Sequence, residues 1–121
     1  MTLTRTQAED ILRARFRLSQ FYDEQWETIE GLLEGQRILL IHRTGFGKSL
    51  CYQFPAILFD GITMVYSPLI ALMRDQIHQL KFLGVSAECI NSEQTNEENR
   101  VILERARQND VKILYIAPER Q

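Results

Sequence analysis

The chain has 121 residues, of which 45% are hydrophobic and 25% are charged, and its formal net charge is −2. This length accommodates about one domain with a modest core, and the charge excludes a broad basic field as the means of binding nucleic acid. No apolar run is long enough to span a membrane, so no membrane partner is expected. Cys51 and Cys89 lack partners at metal-binding spacing, so we expect free, buried thiols in a reducing, intracellular and cytoplasmic setting, with a disulfide or a metal role as the alternative.

Two helices are predicted in the first 35 residues. Residues 6–17 carry apolar side chains at helical spacing, and Thr6 and Glu9 fit a capping box at their start. A second helix is expected to begin with Asp23 as its N-cap and to end at Gly35.

Strands and helices are predicted to alternate from residue 38 onward. Pro55 lies inside the first of these helices, so we expect a kink or an early end near Phe54. Thr95 and Glu98 form a capping box before the last helix. The predicted strands are 38–41, 62–66, 85–90 and 111–117, the first two buried, and the predicted helices are 50–58, 67–83 and 96–108. The alternation predicts an α/β fold, with a parallel sheet and flanking helices.

The segment from Arg43 to Ser49 lies between a predicted buried strand and a predicted helix, which is the context of a phosphate-binding P-loop. Gly45 and Gly47 would let backbone amides approach a phosphate closely, and the helix N-terminus would add partial positive charge. Lys48 would reach the outer phosphates, and the Ser49 hydroxyl would hold Mg²⁺. The alternative, a chance glycine-rich turn, explains neither the preceding strand nor the second glycine.

Three loops are predicted to leave the carboxyl ends of parallel strands, where ligands bind in such sheets. They cover residues 43–49, 67–69 and 118–120. We therefore expect all three loops to share one rim of the sheet and to form one candidate surface.

Four stretches of the chain resemble sequence motifs of the RecQ-type DNA helicases, and together they cover nearly the whole chain. The resemblance is carried by Thr44–Gln53 with Pro55 and Ala56 (motif I), Ser67–Gln76 (motif Ia), Tyr115–Arg120 (motif Ib), and Phe21–Gln25 with Glu27 (the motif before the P-loop). The long stretch after the lysine is specific, because generic P-loop proteins do not share it.

The resemblance implies an enzyme that couples ATP hydrolysis to 3′-to-5′ unwinding of DNA with two RecA-like lobes, and a parent protein that acts in recombination and repair. This chain would be an incomplete first lobe of the RecA-like P-loop fold. Residues 1–35 would be a helical segment with an adenine-reading motif, and residues 36–121 a partial ATP-binding domain. The implied cofactors are ATP and Mg²⁺. The implied partners are single-stranded or forked DNA and the second lobe of the parent protein.

The resemblance also assigns residues to the nucleotide. Gln25 would read the adenine edge, since an amide offers a donor and an acceptor together, and Tyr22 could stack on the base. The alternatives are a solvated Gln25 in a first helical turn and a Tyr22 packed in the core. The full nucleotide set is Tyr22, Gln25, Arg43, Thr44, Gly45, Phe46, Gly47, Lys48 and Ser49, with Lys48 also catalytic and Ser49 the metal ligand.

The implied DNA contacts follow the second and fourth predicted strands. A hydroxyl and free amides at a helix start suit a phosphate of the DNA backbone, and a proline in the first turn presets that geometry. The assigned residues are Ser67, Pro68, Leu69 and Arg120, for which the alternatives are an ordinary strand-to-helix turn and a solvated arginine. Arg74 is expected to pair with Asp75 or Gln76 on an exposed face and not to contact DNA.

Five positions depart from the family pattern. Leu18 and Tyr22 stand where the family usually has an aromatic residue and an arginine that sandwich the adenine. His42 and Arg43 replace an apolar residue and a proline, and Phe46 fills a slot that usually holds a small residue. These departures leave open how the base is held and how wide the pocket mouth is.

Three classes of function follow from these motifs. They are an ATP-driven nucleic-acid motor, a nucleotide- or DNA-binding module without turnover, and a P-loop kinase or transporter ATPase. Motif Ia and the Gln25 element argue against the third. Hydrolysis needs acidic residues for Mg²⁺ and water, which the family places in an Asp-Glu-Ala-His run. The sequence has no such run, and Asp75, Asp110 and Glu119 stand alone, so the chain by itself is predicted to be inactive.

Overall fold

The structure is a computed structural model that describes residues 3–35, 48–66 and 70–117. The chain divides into two compact units, Met1–Leu58 and Phe59–Gln121. Within the described residues, the elements are α1 (Arg5–Phe16), α2 (Asp23–Leu33), α3 (Lys48–Leu58), β1 (Thr63–Tyr66), α4 (Ile70–Phe82), β2 (Ala87–Ile90), α5 (Asn96–Arg107) and β3 (Ile113–Ile116).

Helix α1 begins one residue earlier than predicted, and its capping box uses a different pair of residues. Thr4 is the N-cap: its hydroxyl accepts a hydrogen bond from the Gln7 amide at 3.1 Å, and the Gln7 side chain accepts one from the Thr4 amide at 3.0 Å. The predicted Thr6–Glu9 box is therefore wrong. The physical reason is that the Glu9 carboxylate is used elsewhere, where it accepts a hydrogen bond from the Phe21 amide at 2.9 Å.

The core of the first unit is built around aromatic rings. The Phe54 ring from α3 meets the Phe21 ring edge-on, with ring centroids 5.0 Å apart, and the Phe16 ring of α1 at 6.0 Å. Trp26 of α2 lies 5.8 Å from Phe21. Helix α2 packs on α3. Edge-to-face aromatic pairs favour particular ring orientations in addition to burying apolar area, so this cluster fixes α1, α2 and α3 around the segment that contains Phe21.

Two further predictions about the helices of this unit need correction. Helix α2 has Tyr22 as its N-cap, one residue earlier than predicted, and Asp23 is its first helical residue. The sequence predicts a kink or an early end near Phe54; helix α3 runs through Pro55 to Leu58, so the early end is wrong. Pro55 removes one backbone hydrogen bond, but Phe54 and Ala56 beside it are fully buried. Their packing outweighs the local preference of the proline.

The second unit contains a parallel sheet with strand order β1-β3-β2. Helix α4 connects β1 to β2, and α5 connects β2 to β3. The predicted α/β class, a parallel sheet with flanking helices, is confirmed, and it agrees with part of a RecA-like lobe. The predicted strand 38–41 lies outside the described residues.

Strand β1 is more exposed than predicted. Met64 and Tyr66, on one face of the strand, are 54% and 67% exposed, while Thr63 and Val65, on the other face, are half-buried. The expectation that this strand is buried on both faces is therefore wrong. Its position explains the difference, because β1 is at the edge of the described sheet and β3 is at the centre, where Ile113, Leu114 and Tyr115 are all buried.

Helices α4 and α5 are held against β2 partly by charge. Glu88 of β2 accepts a hydrogen bond from Arg105 of α5 at 2.7 Å and lies 3.4 Å from the ammonium of Lys81 at the end of α4.

The capping box predicted for α5 is confirmed: the Glu98 amide donates to the Thr95 hydroxyl at 3.1 Å, and the Thr95 amide donates to Glu98 at 2.9 Å.

Candidate nucleotide and DNA site

The N-terminus of α3 has the chemistry of an anion-binding helix end. Lys48 is its first residue, and Ser49, which is half-buried, is its second. Its first turn holds no acidic residue, whereas α2 carries Asp23 and Glu24 there and α5 carries two glutamates. A carboxylate at that place would satisfy the positive end of the helix dipole and would repel a phosphate. The rest of the predicted phosphate loop, Arg43, Thr44, Gly45, Phe46 and Gly47, lies outside the described residues.

Gln25 and Tyr22 lie at the start of α2, in the same compact unit as α3. Gln25 is only 8% exposed, and its side-chain oxygen accepts a hydrogen bond from the Tyr22 amide at 2.8 Å. The alternative of a solvated Gln25 is therefore wrong. Tyr22 is 62% exposed, so the alternative of a core-packed tyrosine is also wrong. The structure presents a tyrosine side chain at the surface, beside a buried glutamine that fixes the backbone beneath it.

Helix α1 contacts the residues on both sides of Tyr22, which the sequence did not indicate. The Arg5 guanidinium donates to the Phe21 carbonyl at 2.5 Å and to the Asp23 carboxylate at 2.7 Å. Glu9, one turn further along α1, accepts from the Phe21 amide and lies 3.3 Å from Arg5. The hydrogen bond to Asp23, followed by that to Glu9, raises the pKa of Arg5. The only signal in the sequence was an arginine and a glutamate four residues apart, which also describes an ordinary solvated helix face.

The carboxyl ends of the three described strands meet at one edge of the sheet. Tyr66, Ile116 and Ile90 are aligned in the two parallel ladders, and the Ala117 amide donates to the Ile90 carbonyl at 3.0 Å. The segments after β1 and β3 therefore leave from the same edge, as predicted for two of the three loops. The DNA-contact residues proposed within them, Ser67, Pro68, Leu69 and Arg120, lie outside the described residues.

A polar network at this edge was not found by sequence reasoning. Asn91, directly after β2, is 3% exposed, and its side-chain oxygen accepts from the Glu93 and Gln94 amides at 2.8 and 3.2 Å. The Gln94 side chain donates to the Cys89 carbonyl at 2.9 Å and to the Asn99 side chain at 2.7 Å. The network ties the end of β2 to the first turn of α5. The asparagine after a strand was the available signal, since such residues commonly form side-chain turns.

Arg74 has a different partner from the one predicted. Its guanidinium lies 3.0 Å from the carboxylate of Glu93, in the loop after β2. The expected pairing with Asp75 or Gln76 is wrong, because neighbours in a helix do not face each other. The observed ion pair connects α4 to the same polar loop and leaves Arg74 60% exposed at this edge.

Cys51 and Cys89 are both buried and form no disulfide, in agreement with the expectation. Burial raises the pKa of the Cys89 thiol, although a hydrogen bond from the Asn91 amide opposes that shift. Among the residues that the structure describes, no three His, Cys, Asp or Glu side chains are grouped as a metal site. None of the described helices has both the length and the apolar character to cross a bilayer.

The chain has a parallel sheet with flanking helices, and it has a helix that begins Lys-Ser after a glycine-rich segment. These features define the class of RecA-like nucleotide-binding proteins. The sequence profile of the DEAD/DEAH box helicase family matches residues 22–121, and the chain belongs to this family. The resemblance to RecQ-type helicases is also confirmed. Over 113 residues the chain is 43% identical to the ATP-dependent DNA helicase RecQ of Haemophilus influenzae, and it is 42% identical over 114 residues to that of Bacillus subtilis.

A eukaryotic relative gives the same result. The chain is 41% identical over 114 residues to the ATP-dependent DNA helicase Q1 of Pongo abelii. Each of these three alignments covers 93% of this chain, but only 18% or 19% of the relative. The chain thus spans about a fifth of the length of the curated relatives that it matches.

Proposed function

We propose that this chain is part of the first RecA-like lobe of an ATP-dependent DNA helicase of RecQ type, and that it binds ATP·Mg²⁺ at the start of α3. The observation that carries the proposal is the first turn of α3. It begins with Lys48 and Ser49 directly after a glycine-rich segment, and it is without an acidic residue. Membership of the DEAD/DEAH box helicase family supports the same reading.

In this proposal the nucleotide is held from two sides. Amides of the segment from Arg43 to Gly47 cradle the phosphates. Lys48 supplies a positive charge to the outer phosphates, and the Ser49 hydroxyl binds Mg²⁺. Tyr22 stacks on the adenine, which its 62% exposure supports, and Gln25 reads the edge of the base. The packing of α2 on α3 supports a shared pocket, since it keeps both groups within one unit.

DNA is proposed to bind at the carboxyl edge of the parallel sheet. Ser67, Pro68 and Leu69 would contact the sugar–phosphate backbone at the start of α4, and Arg120 would contact it after β3. The absence of an acidic residue from the first turn of α4 supports an anion there. The aligned ends of β1 and β3 support a single contact surface.

The activity of the whole protein is part of the proposal. The relatives are named as ATP-dependent DNA helicases, and we infer 3′-to-5′ unwinding of single-stranded or forked DNA, in recombination and repair inside the cell. We also propose that residues 1–35 serve as the base-reading segment, residues 36–121 as the ATP-binding part, and a second RecA-like lobe as the closing partner.

We further propose that the chain on its own binds nucleotide or DNA without turnover. Its sequence has no Asp-Glu-Ala-His run to hold Mg²⁺ and activate water. A second-lobe arginine is also required, and such a residue contributes about 10³ to 10⁵ in rate in related phosphoryl-transfer systems. This makes a binding module the second candidate function for the isolated chain.

A phosphate-release assay with single-stranded DNA tests this proposal. The chain should show no turnover above background, and labelled single-stranded DNA should bind weakly, with an affinity that falls steeply as salt rises from about 50 to 200 mM. Turnover that disappears in Lys48→Ala would show that the chain, or its oligomer, supplies the missing groups. DNA binding that does not respond to salt would contradict the proposed phosphate contacts.

A further inference from the structure

We propose that Arg5 and Glu9 of α1 are positioning residues for recognition of the nucleotide base. They hold the Phe21 backbone and the Asp23 carboxylate, on either side of Tyr22, and so place Tyr22 and Gln25 toward the adenine. This inference rests on the proposed base-reading role of those two residues, and it assigns a function to the first helix, which precedes the part of the chain that the helicase family profile matches.

The contacts converge on the two residues that flank Tyr22, at the backbone of Phe21 and the side chain of Asp23. Phe21 is held at both of its polar groups, since its amide donates to Glu9 at 2.9 Å and its carbonyl accepts from Arg5 at 2.5 Å. On the other side of Tyr22, the Asp23 carboxylate accepts from Arg5 at 2.7 Å. Arg5 and Glu9 also contact each other at 3.3 Å. A single pair of side chains thus fixes the residues before and after the tyrosine.

This arrangement matters because Tyr22 has little burial of its own. Its side chain is 62% exposed, so core packing does not set the direction of the ring. The residues that lead to it, 17–20, are all exposed, and Arg17 adopts a left-handed conformation with φ of 60°. The bonds at the Phe21 backbone and the Asp23 carboxylate, together with the bond between the Tyr22 amide and Gln25, therefore contribute to the position of the ring.

The backbone held by these hydrogen bonds belongs to a residue whose ring is packed in the aromatic core of the first unit. The Phe21 ring is 2% exposed and packs edge-on against Phe54 of α3, which is the helix that begins at the proposed phosphate site. The side chain of Phe21 is fixed by that packing, and its backbone is fixed by Arg5 and Glu9. The planar guanidinium suits this task, because it presents several donors in a fixed fork that an ammonium cannot reproduce.

The test compares the affinity for ATP·Mg²⁺ with that for Mg²⁺-tripolyphosphate, which lacks a base. Arg5→Met and Glu9→Met should lower the affinity for ATP relative to that for tripolyphosphate about tenfold. This is the effect expected from losing roughly one hydrogen bond at the base. Glu9→Gln keeps an acceptor for the Phe21 amide and should retain most of the ratio. The matched control is Arg13→Ala, because Arg13 also bonds this segment, at the Ser19 carbonyl, but does not flank Tyr22.

A second readout follows the backbone directly. Hydrogen exchange at the Phe21 amide should accelerate in Glu9→Met and stay slow in Glu9→Gln and Arg13→Ala, while Trp26 fluorescence and thermal unfolding verify that each variant folds. If Gln25→Ala lowers the affinity ratio but the Arg5 and Glu9 variants do not, the positioning role is overturned and the proposed function stands. If wild type and Gln25→Ala give the same ratio, the base-reading role fails, and the positioning role fails with it.

Discussion

Replacing Gln25 separates its role in the fold from its proposed role at the base. The Gln25 side chain is buried, and its oxygen accepts a hydrogen bond from the Tyr22 amide at 2.8 Å. Gln25→Ala removes that contact at the start of α2, so the free energy of unfolding should fall by about 1 kcal/mol, as for the loss of a helix cap. Gln25→Glu keeps an acceptor in the first helical turn, where a negative charge is favoured, and should retain the cap.

The two variants should behave alike toward the nucleotide. Reading adenine needs a donor and an acceptor together, and neither alanine nor glutamate supplies both. Each should therefore weaken ATP binding by about 1–3 kcal/mol, roughly 5- to 150-fold, and leave tripolyphosphate binding unchanged. Isothermal titration and chemical denaturation measure the two effects on the same samples. Equal losses for ATP and tripolyphosphate, or wild-type ATP affinity in Gln25→Glu, would refute the reasoning.

Further predictions concern the second unit. Asn91→Ala should lower the free energy of unfolding by about 1–3 kcal/mol, because two backbone amides lose a buried acceptor; a loss below about 0.5 kcal/mol would contradict this. Glu88→Gln should destabilise by at most about 1 kcal/mol, by an amount that shrinks in high salt, since its cationic partners are partly exposed. The backbone amide of Thr95 lowers the pKa of Glu98. The stability that Glu98 contributes is therefore present above its ordinary pKa and lost as pH falls through the lowered one, and Glu98→Gln should remove that part of the acid dependence in circular dichroism. Because burial raises the pKa of the Cys89 thiol, its alkylation at pH 8 should be slower in the folded chain than in urea.

Local signals predicted most of the element types. The alternation of strands and helices gave the parallel sheet, and the pair Thr95 and Glu98 gave the start of α5, because both signals act within a few residues. The same rule failed at α1, where two threonine-initiated boxes compete. Thr4 prevails because Glu9 makes a tertiary contact with Phe21 that no short-range pattern contains.

Tertiary packing accounts for the other differences. Pro55 remains inside α3 because its neighbours are buried, and Met64 is exposed because β1 is at the edge of the described sheet. For the candidate site, the sequence predicts which residues would bear the chemistry, such as Gln25, and these assignments stay predictions. It did not predict the support from Arg5, since that contact joins residues far apart in the chain.

The most direct test of the central claim is a titration of the chain with ATP·Mg²⁺ while its backbone amide signals are recorded. We expect shifts centred on residues 43–50, where the glycine-rich segment meets the first turn of α3. The same titration of Lys48→Ala should leave those signals in place, because the charge that reaches the outer phosphates is gone. Unchanged signals in the wild-type chain at millimolar ATP, or equal shifts in Lys48→Ala, would contradict the account.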